Sequence, residues 1–425
     1  MVFSSKHLLA GIVTMLASFA FAETYYVSPT GNDSNAGTSD APVATIKKGV
    51  ALATAAGDIV SIADGDYEIG AKITVSTAIT IQGNVADCSK VVVNCKGTQH
   101  ALYNDSVDGW AVSGITFTNI YRAVYSKKAI TVSHCAFRQV KSGSTLGGEG
   151  LCFPAGSADG LKLVEDCEFD NLVSGGKGAI YLDGTFPITL RNCVFRGCVG
   201  GAVRQNAGGG IELTAENCEF KDCSGYGGAV SLLTNSGKTQ SFRNCLFDGN
   251  EVTASGNAAC GAAAGTSSST ATYENCTFSD NVCSASYSIN AAAVYANGGE
   301  ITLVNCVFWN NLRLSGNGGT LTKEASVAGT YTATTCAAPA AAPLTGDTNV
   351  ALSASPFAGA GVYTLASIVE GAANPCIDGG TTLPWMTGAK DLVGADRIVN
   401  GVPDIGAYEY GGVVKLPAGF LMYLD

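Results

Sequence analysis

The chain has 425 residues, a formal net charge of −11 at pH 7 and only 14% charged residues. An acidic chain with few cations disfavours nucleic acid and anionic membrane surfaces as partners, because both attract positive charge. The 54 glycines, together with many Ala, Ser, Thr and Asn residues, are typical of tight turns and stacked strands.

The first 22 residues have the pattern of a secretory signal peptide. A short basic start, Lys6-His7, precedes a mostly apolar run over residues 8–20 and a small-x-small cleavage site, Ala20-Phe21-Ala22. We therefore expect a secreted protein that is extracellular or held at a cell surface, with a bacterial outer membrane as one location. An uncleaved anchor helix is the alternative, but the apolar run is shorter than the roughly 20 residues of a membrane span. No later run reaches that length, so no integral membrane span is expected.

An N-terminal cap is predicted next along the chain. Residues 47–56 favour a helix, because Ile46, Val50 and Ala53 share one helical face. Such a helix would cover the open edge of a stacked-strand core. The first strands are predicted in apolar runs at residues 59–62, 79–81 and 91–93.

A loop before this helix carries oxygen-bearing side chains at a spacing that resembles a calcium loop. The metal candidates are Asp33, Asn35 and Asp40. The loop lacks the closing acidic residue of an EF-hand, and Asx turns explain the same side chains. Two interpretations stay open: a calcium site, or turns with no bound cofactor.

One motif recurs seven times in the middle of the chain: a polar residue, cysteine, any residue, phenylalanine. The copies are His134-Cys135-Ala136-Phe137, Asp166-Cys167-Glu168-Phe169, Asn192-Cys193-Val194-Phe195, Asn217-Cys218-Glu219-Phe220, Asn244-Cys245-Leu246-Phe247, Asn275-Cys276-Thr277-Phe278 and Asn305-Cys306-Val307-Phe308. Their cysteines are 32, 26, 25, 27, 31 and 30 residues apart. A period of this length indicates stacked structural units and therefore a solenoid.

Each copy of the motif predicts two strands that meet at a corner. Ile188 and Leu190 point inward before the corner, whereas Cys193 and Phe195 point inward after it, so the alternation changes parity. Asn192 must absorb that change, and asparagine tolerates the left-handed backbone conformation that does so. The predicted structural ladder consists of Asn192, Cys193, Phe195, Asn217, Cys218, Phe220, Asn244, Cys245, Phe247, Asn275, Cys276, Phe278, Asn305, Cys306 and Phe308.

A third strand completes each coil, as in Gly178-Ala179-Ile180, Gly201-Ala202-Val203 and Gly228-Ala229-Val230. Three short parallel strands per coil predict an all-β fold, a right-handed parallel β-helix with an N-terminal capping helix. An all-β sandwich with accidental periodicity is the alternative. The expected organisation is a signal peptide over 1–22, a cap with the first coils over 23–110, regular repeats over 111–312, looser coils with an Ala- and Thr-rich loop over 313–371, and a closing module with a tail over 372–425.

The 16 cysteines allow two interpretations. Export and an even count suggest disulfides, but the regular spacing favours a stack of buried thiols, since cysteine behaves as a small apolar side chain. Cys198 and Cys223 occupy equivalent positions three residues after Phe195 and Phe220. They are therefore the stacked pair best placed to form a bridge.

Three segments resemble known families. Tyr25-Tyr26-Val27-Ser28, Gly31-Asn32-Asp33 and Gly57-Asp58-Ile59-Val60 resemble the N-terminal part of secreted β-helix proteins with a pectin lyase-like fold, including polysaccharide lyases. Phe-x-x-Asn (Phe247 to Asn250) with Gly200-Gly201-Ala202-Val203 resembles the repeats of polymorphic outer-membrane autotransporters.

The third resemblance lies near the C-terminus. Asn374-Pro375-Cys376-Ile377-Asp378-Gly379-Gly380 with Asp404-Ile405-Gly406-Ala407-Tyr408 resembles the closing module of "choice-of-anchor" bacterial surface proteins. Together the three resemblances imply the fold and export. They leave the activity open.

A linear ligand site is predicted just after the Gly-Ala-Val strand, where side chains align from coil to coil. The ligand-binding candidates are Tyr181, Asp183, Arg204, Asn206, Tyr295 and Asn297. Tyrosine, arginine and carboxylate side chains on one stripe suit a glycan, whereas an ordinary solvated face is the plainer interpretation. No catalytic residue can be assigned, and His134 takes a corner position, which indicates a structural role.

The predicted function is an exported, adhesin-like or glycan-binding β-helix protein without catalysis. Its partner would be an extracellular glycan or a host or neighbouring surface protein. The alternatives are a polysaccharide lyase or glycosidase that uses the Tyr181, Asp183 and Arg204 face, and a purely structural surface protein.

Overall fold

The computed structural model describes residues 22–97, 100–138, 148–157, 160–206, 210–225, 227–232, 237–253, 263–284, 291–314, 321–322 and 326–411. The fold is all-β, a right-handed parallel β-helix, as the repeat predicts. The predicted signal peptide lies outside the described residues, except for Ala22. Within the described ranges, no helix has the length and apolar character that a membrane crossing needs.

Three rows of strands run the length of the β-helix. The first row contains the strands that the sequence predicts as the third strand of each coil. Outside three longer strands, its members are Ile73–Thr74, Leu102–Asn104, Arg122–Ser126, Glu149–Ser157, Val203–Gln205, Val230–Leu232 and Ala264–Ser267. The second row precedes the predicted corner: Thr24–Val27, Ile59–Ile62, Thr80–Gln82, Trp110–Ser113, Ile130–Ser133, Lys162–Glu165, Gly210–Glu216, Thr239–Arg243 and Thr270–Glu274. Three long strands run through both rows: Ile180–Arg191, Val294–Val304 and Val327–Thr334. Because of them, the two rows form one 19-stranded sheet.

The third row carries the phenylalanines and forms a 12-stranded parallel sheet. Its strands are Gly65–Glu68, Val91–Asn94, Thr116–Thr118, Ala136–Arg138, Glu168–Asp170, Val194–Arg196, Glu219–Lys221, Leu246–Asp248, Thr277–Ser279, Val307–Trp309, Ala337–Pro339 and Val350–Leu352. A short fourth sheet contains Ser224–Gly225, Glu251–Val252, Val282–Cys283, Leu312–Leu314 and Leu321–Thr322. Two antiparallel hairpins follow, Phe357–Gly359 with Val362–Leu365 and Ile368–Val369 with Ala372–Ala373.

The predicted corner is confirmed at each copy of the motif. Asn192 has a φ of 52° and Asn305 a φ of 54°, and the other five copies, including His134, have equivalent positive values. Side-chain amides connect successive coils, as from Asn217 Nδ2 to Asn192 Oδ1 at 3.3 Å and from Asn244 Nδ2 to Asn217 Oδ1 at 3.1 Å. The corner is therefore a hydrogen-bonded ladder.

A second left-handed corner, which the sequence analysis missed, lies two residues after each ladder phenylalanine except Phe137, for which that position falls outside the described residues. The residues with positive φ there are Asn119, Asn171, Gly197, Asp222, Gly249, Asp280 and Asn310. The third row is therefore only three residues long in most coils, because a left-handed residue bounds it on both sides. Just beyond this corner, Asn250, Asn281 and Asn311 form a second, buried amide ladder with Nδ2 to Oδ1 distances of 2.9 and 2.8 Å.

The core is built from the predicted ladders. The phenylalanine rings from Phe117 to Phe308 stack coil on coil, with centroid separations between 4.6 and 5.3 Å. The ladder cysteines are buried and are free thiols. Cys198 and Cys223, the pair that the spacing marks for bridging, are free as well.

The capping helix is present but shorter than predicted. It spans Ile46–Leu52, and Thr45 caps its N-terminus by accepting a hydrogen bond from the Lys48 amide at 3.1 Å. Ala53 ends it, because the following chain is held instead by Asp58, whose carboxylate accepts the Ala55 amide at 2.8 Å. Ile46, Val50 and Ala53 are buried, as the shared face predicts.

The closing module packs against the side of the β-helix. Asn244, Asn275 and Asn305 donate side-chain hydrogen bonds to the Lys390, Asp404 and Thr381 carbonyls at 2.7, 3.0 and 2.8 Å. The variable residue of the Cys-x-Phe motif explains the location. In the three coils that precede the module it is the partly exposed Glu168, Val194 or Glu219, and beneath the module it is the buried Leu246, Thr277 or Val307.

One buried ion pair holds this module together. Arg397 Nη2 lies 2.6 Å from Glu409 Oε2, and both side chains are 0% exposed. The guanidinium also donates to the Asn244 side chain of the corner ladder at 3.3 Å. Residues 350–352 complete the third row, whereas residues 357–365, which lie in the segment predicted as looser coils, form an antiparallel hairpin.

Candidate functional site

The first row presents an aligned series of side chains outward. Strand pairing places Tyr103 opposite Tyr125, Tyr125 opposite Cys152, Cys152 opposite Tyr181, and Tyr181 opposite Arg204. These positions alternate with buried residues, most of them apolar and three of them polar (Asn104, Ser126 and Gln205), and Cys152 itself is only 1% exposed. We call Tyr103, Tyr125, Tyr181 and Arg204 the tyrosine row.

The structure brings four of the predicted ligand-binding residues together. The Tyr181 hydroxyl donates to Asp183 Oδ2 at 3.2 Å, and Asn206 Nδ2 donates to the same oxygen at 3.2 Å. Burial, followed by the charge of Asp183, raises the pKa of Tyr181 to about 12. The phenol is therefore a hydrogen-bond donor at neutral pH, and Arg204 lies in the adjacent coil.

Tyr295 and Asn297 do not join this group. They follow the same register, but Ser231 and Gly265 stand between Arg204 and Tyr295. Tyr295 is only 7% exposed, because it packs with Ala291 and Ala328. The prediction of an exposed tyrosine at this position is wrong.

A buried ion pair beside the tyrosine row was missed by the sequence analysis. Arg122 Nε lies 2.8 Å from Glu149 Oε2, with the Glu149 side chain 2% exposed. Burial raises the pKa of Glu149, and Arg122 opposes that shift. Both residues lie three positions before a member of the aligned series, Tyr125 or Cys152, so an alignment of coils would have revealed the pair.

Further basic side chains flank the tyrosine row. Lys72 Nζ lies 4.2 Å from the Tyr103 ring centroid, and Lys177 Nζ lies 5.2 Å from that of Tyr181. The His100 ring packs on Tyr125 with centroids 4.5 Å apart. Burial, then the charges of Arg122 and Lys72, lower the pKa of His100 to about 4. A neutral imidazole, aromatic edges and cationic donors are thus arranged along one face.

The predicted calcium loop is occupied by its own hydrogen bonds. Asp33 accepts the Ala44 and Thr45 amides at 2.9 Å and the Thr45 hydroxyl at 2.8 Å. Asn35 donates to the Pro42 carbonyl at 2.9 Å, and Asp40 is exposed. Over the described part of the chain no group of three His, Cys, Asp or Glu side chains is arranged for a metal ion. The calcium site stays a prediction.

These features define a right-handed parallel β-helix protein with one chemically varied face. The family model described as a right-handed beta helix region matches residues 124–330. A second model, described as a protein of unknown function (DUF1565), matches residues 29–142. No curated protein sequence matches the chain.

A solved structure shares the fold, and a second one is similar over part of the chain. Pectate lyase Pel9A is 17% identical with a TM-score of 0.54, over 92% of this chain and 97% of that chain. A rhamnogalacturonan lyase is 14% identical with a TM-score of 0.40, over 74% of this chain and 87% of that chain. At these identities the likeness concerns the fold alone. The resemblances to autotransporter repeats and to choice-of-anchor modules stay predictions.

Proposed function

We propose that this protein is exported and binds an extracellular glycan along the tyrosine row. The observation that carries the proposal is the alignment of Tyr103, Tyr125, Tyr181 and Arg204 on the first row of the β-helix. Successive coils of a parallel sheet lie about 4.8 Å apart, so a chain-like ligand laid along the axis meets these side chains in order, with the coil of the buried Cys152 between Tyr125 and Tyr181.

The chemistry of the face supports a saccharide. Tyrosine offers an apolar ring and a polar hydroxyl, and Asp183 accepts hydrogen bonds while Lys177 and Arg204 donate them. Sugars combine apolar ring faces with many hydroxyl groups, so both kinds of contact are needed. The fold shared with polysaccharide-cleaving enzymes is consistent with this ligand class.

The test is retention of the purified protein by a panel of neutral and acidic polysaccharides, with and without calcium. Tyr181→Ala and Arg204→Ala should each lower the affinity by about tenfold or more, the effect of removing about 1.4 kcal/mol of binding free energy. Tyr26→Ala is the matched control, because Tyr26 is 38% exposed and lies on the second row. Unchanged retention in both row variants would refute the proposal.

A lyase or glycosidase is the second candidate function. The observation that favours it is the buried Arg122–Glu149 pair beside the row, since displaced carboxyl pKa values are common at catalytic sites. Mass spectrometry of treated polysaccharide separates the cases. Unsaturated ends that disappear in Glu149→Gln indicate a lyase, hydrolytic fragments indicate a glycosidase, and intact polymer leaves binding alone.

A structural surface protein or a protein-binding adhesin is the remaining alternative. Both would leave every polysaccharide of the panel unbound. Secretion and display at a cell surface belong to the proposal as well, and are tested by locating the protein in culture medium and on intact cells.

A further inference from the structure

A cavity, separate from the tyrosine row, lies between the third row and the hairpin Phe357–Leu365. Its volume is about 650 Å³, and no member of the tyrosine row lines it. Cavities of several hundred cubic ångströms accommodate ligands of one to a few sugar units. The cavity exists because the hairpin stands over the second left-handed corner, where the chain turns away from the third row.

Aromatic side chains form one wall of this cavity. Trp309 is half-buried on the outer face of the third row, and Phe357 and Tyr363 come from the hairpin. The Phe357 and Tyr363 rings meet edge to face, with centroids 5.3 Å apart. Phe357 and Tyr363 are only 8% and 7% exposed, so the half-buried Trp309 offers the most accessible apolar ring to a sugar.

Three carboxylates line the same cavity, beside the aromatic rings. Asp222 and Asp280 occupy the left-handed corner two coils apart, and Gly249 between them leaves room for the Asp222 carboxylate. A Cβ at Gly249 would lie 2.5 Å from Asp222 Oδ1. Asp248 projects from the third-row strand into the same space.

The polar groups of the cavity contain more acceptors than free donors. The Tyr363 hydroxyl already donates a hydrogen bond to Asp248, and Ser279 Oγ donates to Asp280 Oδ2 at 2.7 Å. The Asn310 amide also donates to Asp280. Ionised carboxylates only accept hydrogen bonds, so a complementary ligand must bring donors.

The three carboxylates act on one another electrostatically. Burial raises the pKa of Asp248, and the charges of Asp222 and Asp280 raise it further, against the opposing effects of Tyr363 and Lys221. Lys221 is committed to Glu219, with Nζ to Oε2 at 3.2 Å. A positive ligand would relieve this repulsion, whereas a uronate would add to it.

We propose that this cavity binds a glycan unit that carries an ammonium group, such as a deacetylated hexosamine. The aromatic wall holds the sugar ring, and Asp222 and Asp280 accept hydrogen bonds from the ammonium. Charge-assisted hydrogen bonds are roughly twice as strong as neutral ones, so the ammonium dominates recognition. The site is independent of the glycan proposed for the tyrosine row.

The experiment is calorimetric titration of the full chain with a glucosamine hexasaccharide and with its N-acetylated counterpart. The N-acetylated chain should bind about tenfold more weakly or worse, as the loss of a charge-assisted hydrogen bond implies. The double variant Asp222→Asn, Asp280→Asn should lose the preference while it melts like the parent. Asp66→Asn, an exposed aspartate on an early third-row strand, should change nothing.

Four outcomes would overturn the proposal. They are equal affinity for the two hexasaccharides, unchanged binding in the double variant, equally tight binding of spermidine, and loss of binding in Tyr181→Ala. Equally tight binding of spermidine would mean that the cavity recognises positive charge and not the sugar. Loss of hexasaccharide binding in Tyr181→Ala would place this ligand on the tyrosine row. The experiment therefore distinguishes a failure of the cavity proposal from a failure of the tyrosine-row proposal.

Discussion

Removal of one ring from the phenylalanine ladder should destabilise the protein strongly. Phe220 is fully buried and stacks on Phe195 and Phe247, with ring centroids at 5.1 and 4.8 Å. Phe→Ala changes in cores cost about 3–5 kcal/mol, and each lost ring pair contributes about 0.5–1.5 kcal/mol. The coils above and below are fixed by parallel strand pairing and cannot collapse into the gap. We therefore expect Phe220→Ala to cost about 4–5 kcal/mol, the upper part of that range.

The cost is measured by denaturant unfolding followed by tryptophan fluorescence, with the slope of the transition checked for a change. Lys221→Ala is the control, because the next residue points outward and surface changes typically stay within about 0.5 kcal/mol. A cost below about 1 kcal/mol for Phe220→Ala would refute the packed ladder.

Three further predictions concern other parts of the molecule. Glu409→Gln leaves the buried Arg397 charge without its carboxylate partner and should lower the free energy of unfolding by about 3–5 kcal/mol. The measurement is hydrogen exchange of the Val399 and Asp404 amides, which donate to the Glu409 carboxylate and should exchange faster in the variant. His100 should titrate near pH 4 in NMR spectra. Because its folded pKa lies below the ordinary value of 6.5, the unfolded state binds the proton first, and stability falls as the pH drops from 6.5 towards about 4. In native alkylation, Cys88 should react ahead of the buried ladder thiols.

Each of these predictions has a contradicting result. Unchanged exchange in Glu409→Gln would mean that the pair does not hold the closing module. A His100 midpoint above pH 6 would mean that the imidazole is solvated. Ladder thiols that react as fast as Cys88 would mean that the core opens readily.

The sequence predicts the ladder because one position has to reverse the strand alternation. Asn192 and its equivalents reveal that step, since few residues tolerate it. The second corner escaped prediction because Asn, Asp and Gly share it and no single residue type recurs. Its local effect is the same, but its sequence pattern is weaker.

The packing of the closing module depends on contacts between distant segments, and so does the cavity under the hairpin Phe357–Leu365. Asn275 reaches Asp404, which lies 129 residues away, and Tyr363 reaches Asp248 across 115 residues. No local pattern encodes such a pairing. The tyrosine row was predicted in part, since Tyr181, Asp183, Arg204 and Asn206 follow from coil alignment. The burial of Tyr295 depends on its neighbours Ala291 and Ala328.

The change from partly exposed to buried side chains at the variable position of the Cys-x-Phe motif separates the coils that lie beneath the closing module from the three coils that precede it. Coils beneath the closing module must keep Leu246, Thr277 and Val307 in order, because the module is attached across all three. Earlier coils, such as those of Glu168 and Val194, carry no such constraint. Duplication or loss of an early coil would lengthen or shorten the rod and the tyrosine row while the attached end stays intact. The length of this β-helix can therefore change by whole coils on the N-terminal side of the closing module, but not beneath it.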